Sequence, residues 1–351
     1  MKGGETGVNA RQTKKYTVFE MIEEALHHFG MSGTYIGRLR GGFAYNTNNG
    51  IAIVDSYNGS RQRFEARAKV CEKLLQNDVC VSCYVKDEDN SYFYDIEDGN
   101  TFTVYIFCPY PECSDKKTDN VCTAMRALAG LHKAFTEKIS MPELGLDGSE
   151  FQIARSYVKE YDKHNREMKM IRNYLTGRKT KTDFELLALK ECDSYLDEGL
   201  MAVEILKSSE YESEFRYAVN ENKLCHGDFN YHNIYIDSSK YLITGLSQMR
   251  SDVYIVDLYN FMRKLMEKYD WNIKMGYLML SEYDKVNTLS VQDIGILGAM
   301  FAYPEKFWKI LNYYFNNNKA WIPGRSMEKL RTVVNQNRMK REFVRTLYGS
   351  R

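Results

Sequence analysis

The chain has 351 residues and a mass of 41.0 kDa, with 48 Lys and Arg against 47 Asp and Glu, a formal net charge of +1. That balance argues against a dedicated nucleic-acid binder, whose electrostatic footprint is basic, and against an acidic disordered chain. Hydrophobic residues make up 44% and there are only 5 Pro, where a usual share of ~5% would give roughly 17, so a large core is affordable and a disordered linker is not expected.

No run approaches the ~18 apolar residues of a membrane span. The opening MKGGETGVNARQTKKY lacks the apolar region of a secretory signal, so a chain made and kept in a cytoplasm is expected. The spacing predicts an amphipathic helix over 17–30, with Thr17 as N-cap, Glu20 three residues on and Gly30 as the stop. Residues 33–58 read as strands, with Asn48, Asn49 and Gly50 as a turn between two of them. A helix follows over 60–77, with Phe64, Ala68, Cys71, Leu74 and Leu75 on one face. CVSCYVKD, SYFYDIED and NTFTVYIFCPY then supply three more strands, separated by turn signals that include EDGN (97–100).

After Pro109 and Pro111 the pattern becomes helical, first over 118–137 and then over most of 150–220, with a basic break at 177–182. NKLCHGDFNYHNIYID and KYLITGLS read as a loop with short strands, and from Asp257 the chain is helical again. The expected organisation is a strand-rich lobe with one crossing helix over 1–107 and a larger helical lobe over 108–351. The eight cysteines include a single CxxC, Cys80 and Cys83; a zinc site wants a second pair, so buried thiols are expected.

The segment richest in chemistry is Leu224-Cys-His-Gly-Asp-Phe-Asn-Tyr-His-Asn233. Phosphoryl transfer needs a carboxylate that orients the acceptor hydroxyl and takes its proton, and oxygen ligands for Mg²⁺ close by. Asp228 and Asn233, five positions apart on one tight loop, suit those two tasks, and His226 suits the task of pinning the loop. His232 reads as a loop histidine satisfied by backbone.

CHGDFNYHN resembles the catalytic loop of the aminoglycoside-phosphotransferase-like kinases. Nearly the whole chain is similar to one branch of them, the CotS-type spore coat proteins of endospore-forming bacteria. The similarity is carried by AMRALAGLHKAF (124–135), VDLYNFMRKLMEKYDW (256–271), LSEYDKVNTLS (280–290), AYPEKFWKILNYYF (302–315) and VVNQNRMKREFV (333–344). It implies an α+β, protein-kinase-like fold with a small antiparallel-sheet lobe and a larger helical lobe. It further implies that Asp228 and His226 are the catalytic-loop pair and Asn233 a metal ligand. Asp257 would brace the loop, and His132 would be a packed feature of its helix. Phe107 and Cys108 match the hinge where an adenine would bond backbone, Gly41 and Gly42 the cover over phosphates, and Glu65 the helix glutamate.

Two groups of an active kinase are missing: the phosphate-binding lysine of the small lobe and the metal aspartate after the catalytic loop. The lysine position, just before Tyr57-Asn-Gly-Ser60, holds Asp55, and no lysine occurs from Tyr16 to Ala68. At ~4 Å and an effective dielectric of 20, exchanging attraction for repulsion there is an effect of several kcal/mol. The metal-aspartate position, a dozen residues after Asn233, is best matched by Gly245, and no Asp or Glu occurs between Lys240 and Ser251. Glu65 has lost its lysine, leaving Arg61, Arg63 or Arg67 as partners on a surface helix.

The resemblance therefore implies a spore coat protein made in the mother-cell cytoplasm and assembled into the coat, a pseudokinase acting as a structural or interaction component. Its partners would be other coat proteins or itself, with no nucleic acid, no membrane and no cofactor. The alternative is an active phosphotransferase on a hydroxyl acceptor, using ATP and Mg²⁺ with Asp252 or a substrate group completing the metal site. A third reading keeps a small molecule in the groove between the lobes. The tail NRMKREFVRTLYGSR reads as a solvated helix face. The 27 tyrosines read mainly as packing of the helical lobe, with Tyr92/Tyr94 and Tyr313-Tyr314 as candidates for oxidative cross-links.

Overall fold

A computed structural model describes residues 17–96, 99–316 and 323–349. The opening segment read as lacking a secretory signal and part of the 97–100 turn lie outside them. Contacts divide the chain into two units, one running to Arg61 and including Ser82–Pro109, the other comprising Gln62–Val81 and the chain from Tyr110 onward.

The first unit opens with α1 (Val18–His28), where Thr17 and Glu20 form the reciprocal capping box that the sequence announces. Strands β1 (Gly33–Leu39), β2 (Gly42–Thr47) and β3 (Gly50–Ser56) form an antiparallel meander. The first turn of the meander puts Arg40 and Gly41 at φ 57° and 92°, the left-handed pair that a two-residue hairpin requires. After α2 (Arg61–Leu75) come β4 (Cys83–Tyr84), β5 (Tyr94–Asp95) and β6 (Thr101–Phe107). The sheet runs β1-β2-β3-β6-β4, with β5 also on β6, and every pairing is antiparallel. Ala52, Ile53 and Val54 are all buried, the mark of a central strand covered on both faces. Ile22, Ala25 and Leu26 of α1 close the core over Tyr45, Val54 and Val104.

The sequence predicts three full strands after α2; β4 and β5 are two residues each. They pair with different halves of β6, at Ile106/Tyr105 and at Phe102/Thr101, so one strand edge is divided between them.

In the second unit, Ala66, Val70, Cys71 and Leu74 of α2 belong to the same core as Leu128 and Leu131 of α3 (Thr118–Glu137). The helix that the sequence reading assigns to the strand-rich lobe thus contributes its apolar face here. The polar stretch resolves into β7 (Gln152–Ile153), α4 (Tyr157–Gly177), α5 (Asp183–Ser208) and α6 (Tyr211–Asn220), with the basic break as the α4–α5 connection. β8 (Leu224–Cys225) precedes the catalytic-type loop, β9 (Ile234–Asp237) and β10 (Lys240–Ile243) form a hairpin, and β11 (Arg250–Ser251) lies between β7 and β8. Then follow α7 (Ile255–Met266), α8 (Ile273–Asp284), α9 (Val291–Ala302), α10 (Glu305–Asn316) and α11 (Pro323–Gly349).

The tail is not simply a solvated face. Leu330, Phe343 and Leu347 of α11 are core residues. Lys340 is buried and donates to Ala302 O (2.9 Å) and Tyr303 O (3.1 Å), supplying donors to carbonyls at the end of α9. Tyr161, Tyr195, Tyr211, Tyr259, Tyr283 and Tyr303 are each at most 2% exposed. Tyr92 is buried as well, whereas Tyr313 is exposed. All eight cysteines are free thiols, four of them buried; burial pushes Cys113 up to about 12 and Cys192 to about 11. No helix among the described residues is long and apolar enough to cross a membrane.

Candidate functional site

The loop after β8 is held from α7. Asp257 accepts from His226 N (2.6 Å) with Oδ2 and from Gly227 N (3.0 Å) with Oδ1, so one carboxylate satisfies two backbone donors of a turn. Its Oδ2 also lies 3.4 Å from His132 Nε2, and His132 Nδ1 is 2.8 Å from the Tyr283 hydroxyl. Burial opposes ionisation of Asp257; the hydrogen bond and charge of His132, then His226 and Arg250, hold the carboxyl below its usual range.

His226 is fully buried, and burial pushes its pKa down. Nε2–H donates to Thr244 O (2.8 Å) while Nδ1 accepts from Asp228 N (3.2 Å). Both ring nitrogens are committed, so the neutral imidazole positions the loop.

Asp228 carries a half-exposed side chain. Asn233 Nδ2 donates to Asp228 O (2.7 Å) and lies 3.3 Å from Asp228 Oδ2. Lys264 Nζ is 3.7 Å from Asp228 Oδ1. Burial lowers the Lys264 pKa, Asp228 opposes that, and Arg263 and Lys309 add to the lowering. The sequence reading missed Lys264. Its signal was available, because Lys264 follows Asp257 by seven positions, two turns along one face of α7.

Thr244 N donates to Asn233 O (2.8 Å), which sets position 245 directly beside Asn233. Gly245 has φ 80°, and a Cβ there would lie 2.8 Å from Asn233 Cγ and Nδ2. Left-handed backbone and crowding both oppose a side chain. Gly245→Asp is therefore expected to lower stability by about 1–2 kcal/mol. The check is the urea midpoint at unchanged m-value; a variant as stable as the parent would show that Asn233 yields freely.

The residues present do not fit the Mg²⁺ that a kinase-like fold implies. That ion is held by one or two carboxylates plus phosphates. Here Asp228 is shared with Lys264, the Asn233 amide nitrogen faces Asp228, and position 245 offers no ligand. Asp252, the alternative ligand, is fully buried, with Arg250 Nε at 3.2 Å from Oδ2 and Val253 N at 2.9 Å from Oδ1. No group of three or more His, Cys, Asp or Glu suited to a metal occurs among the described residues.

His232 is exposed, and its Nδ1 meets Glu112 Oε1 at 2.5 Å, a side-chain partner where the sequence reading expects backbone. In the first unit, Asp55 sits on β3 opposite Thr103 of β6, and burial raises its carboxyl. Gly42 lies against the same strand: a Cβ there would be 2.5 Å from Ile53 Cγ2, so strand packing accounts for this glycine. Phe107, at the end of β6, is buried, and Cys108 is half-buried, its thiol pushed up by burial. Glu65 is exposed on α2, and Arg61 bonds Asp95 (2.7 Å).

A sheet-rich unit, a helical unit and a catalytic-type loop are the parts of a protein-kinase-like fold. Solved structures of that fold match over nearly the full length. An aminoglycoside phosphotransferase from Alicyclobacillus acidocaldarius has a TM-score of 0.81 at 11% identity, covering 97% of this chain and 98% of that one. A spectinomycin phosphotransferase bound to ADP and spectinomycin gives 0.57 at 11% identity, covering 93% and 99%. An amicoumacin kinase bound to AMP-PNP, Ca²⁺ and its ligand gives 0.55 at 10%, covering 93% and 94%. At these identities the likeness is one of fold. Residues 26–347 match the family described as "Spore coat putative kinase YutH", and the chain belongs to that family. It is a family of CotS-type spore coat proteins, which implies assembly into the spore coat. No curated protein matches the chain.

Proposed function

We propose that this chain is a non-catalytic kinase-fold component of the endospore coat, a pseudokinase that acts through its surfaces. The observation that carries the reading is Gly245, without a side chain and packed on Asn233 where a metal carboxylate would stand. Asp55 at the lysine position and the Lys264–Asp228 pair support it. In this reading the protein is made in the mother-cell cytoplasm, holds no Mg²⁺-nucleotide at the Asp228 loop, and associates with other coat proteins or with itself. A net charge of +1 favours such association.

Titration of the purified chain with ATP and MgCl₂, followed by thermal unfolding and phosphate release, tests this. The expected result is no Mg²⁺-dependent shift in Tm and no phosphate release at millimolar ATP, in the parent and in Asp228→Ala alike. Metal-dependent ATP binding at micromolar affinity, abolished by Asp228→Ala, overturns it.

The intact loop of His226, Asp228 and Asn233 favours a second reading, an ATP-dependent phosphotransferase on a hydroxyl acceptor. Asp228 would then orient the hydroxyl and take its proton, and the substrate would supply the missing metal ligand. The same titration, repeated with candidate acceptors, separates the two.

A further inference from the structure

Next to the loop lies a concave space of about 490 Å³, bounded by Tyr231 and by residues of α7 and the turn after it, α10 and α11. That volume falls in the ~300–1,000 Å³ range of small-molecule sites. Its walls carry Lys264, Lys268, Lys306, Arg325 and Lys329 against Glu267 and Glu328.

Three of these cations are anchored from behind. Lys264 meets Asp228 at 3.7 Å, Lys306 meets Glu267 at 2.9 Å, and Lys268 pairs with Asp115 while its Nζ sits 3.9 Å from the Tyr231 ring centroid. An ammonium has three donors, so each anchor holds the group in place and leaves N–H bonds for another anion. Glu267 is shared further with Arg263. Arg325 and Lys329 are exposed one turn apart on α11, a like-charge spacing that repels itself in the absence of an anion. With Arg263, Asp115 and Asp228 included, six cations meet four carboxylates, so a chain of net charge +1 places a local surplus of positive charge in one concavity. Low-dielectric walls focus such a field.

We propose that this pocket binds a small polyanion, a molecule carrying two or more phosphate or carboxylate groups. Polycations are repelled from it. The inference rests on charge and shape and holds whether or not Asp228 transfers phosphate.

Isothermal titration calorimetry of the full chain tests it, without nucleotide or Mg²⁺ and at fixed ionic strength, with sodium pyrophosphate in one arm and citrate in the other. The expected result is saturable binding of at least one anion, weakened by added salt; the two arms distinguish phosphate from carboxylate recognition. Arg325→Glu with Lys329→Glu, both at exposed positions, is expected to weaken that binding at least ~30-fold. The neutral pair Arg325→Gln with Lys329→Gln should fall between, and the unliganded Tm of each variant reports folding. Absence of saturable binding in both arms, or equal affinity in parent and charge-reversed variant, overturns the proposal. Binding of a polyglutamate peptide with no binding of either small anion also overturns it and assigns the surface to an acidic polypeptide.

Discussion

Raising the pH from about 9 to about 11 is expected to unfold this protein cooperatively. Tyr161, Tyr195, Tyr211, Tyr259, Tyr283 and Tyr303 are buried, and burial raises each hydroxyl above its ordinary value. In the unfolded chain they ionise near pH 10. Their contribution to stability is complete below that pH and is lost as the pH rises above it. At pH 11 each costs about 1.4 kcal/mol and the six about 8 kcal/mol, against a usual total of about 5–15 kcal/mol. The buried thiols of Cys113, Cys192 and Cys225, also raised by burial, act in the same sense from about pH 9.

Lys340 acts in the opposite sense. Burial lowers it to about 8, so its contribution improves as the pH rises from 8 toward the unfolded value, by about 3 kcal/mol. The thiols offset this, and the tyrosines decide the outcome. The measurement is tyrosinate absorbance alongside far-ultraviolet circular dichroism during a pH titration. Exposed tyrosines should ionise first and the buried ones in one step with the loss of helix. Full tyrosine ionisation near pH 10 with the helix signal intact would refute the prediction.

The second large effect concerns the brace. Asp257→Ala removes the acceptor of His226 N and Gly227 N and the carboxylate beside buried His132. Orphaned buried donors and a broken buried network cost about 3–5 kcal/mol. Asp257→Asn keeps one acceptor but turns an NH₂ toward a second donor, and about half of that loss is expected. The depressed carboxyl also sets an acid limit. Its stabilisation is present above the unfolded pKa of about 3.9 and is lost as the pH falls through the folded value. The Asn variant should therefore show a shallower loss of stability in acid than the parent. Chemical denaturation and amide exchange at residues 226 and 227 check both points. An Ala variant within about 1 kcal/mol of the parent, with those amides still protected, would remove Asp257 from this role.

Much of the architecture is written locally. The capping box at Thr17 and Glu20 marks a helix start that the structure reproduces, and the structure adds a second box of the same kind at Thr182 and Glu185. The Arg40-Gly41 turn fits its two-residue hairpin for the same reason: the decisive interactions span a few residues. The strand lengths of β4 and β5 were not legible, because a strand extends only as far as its partner offers free backbone, and here one edge of β6 is divided between two segments. Nor does the apolar face of α2 say which core will receive it. The sequence shows the face, while its placement among Leu128 and Leu131 depends on residues more than fifty positions away.

The same division runs through the site. By itself the sequence determined the His226–Asp228–Asn233 loop, the absence of any lysine from Tyr16 to Ala68, and the absence of any carboxylate between Lys240 and Ser251. These are matters of composition and short spacing. Only the tertiary structure decided that Asn233 crowds position 245, that Lys264 lies against Asp228, that Asp257 gathers two loop amides and His132, and that six tyrosines are sealed in the core. The physical reason is range. Caps and turns are set by neighbouring residues, whereas pairs separated by tens of residues or more meet only when whole helices pack.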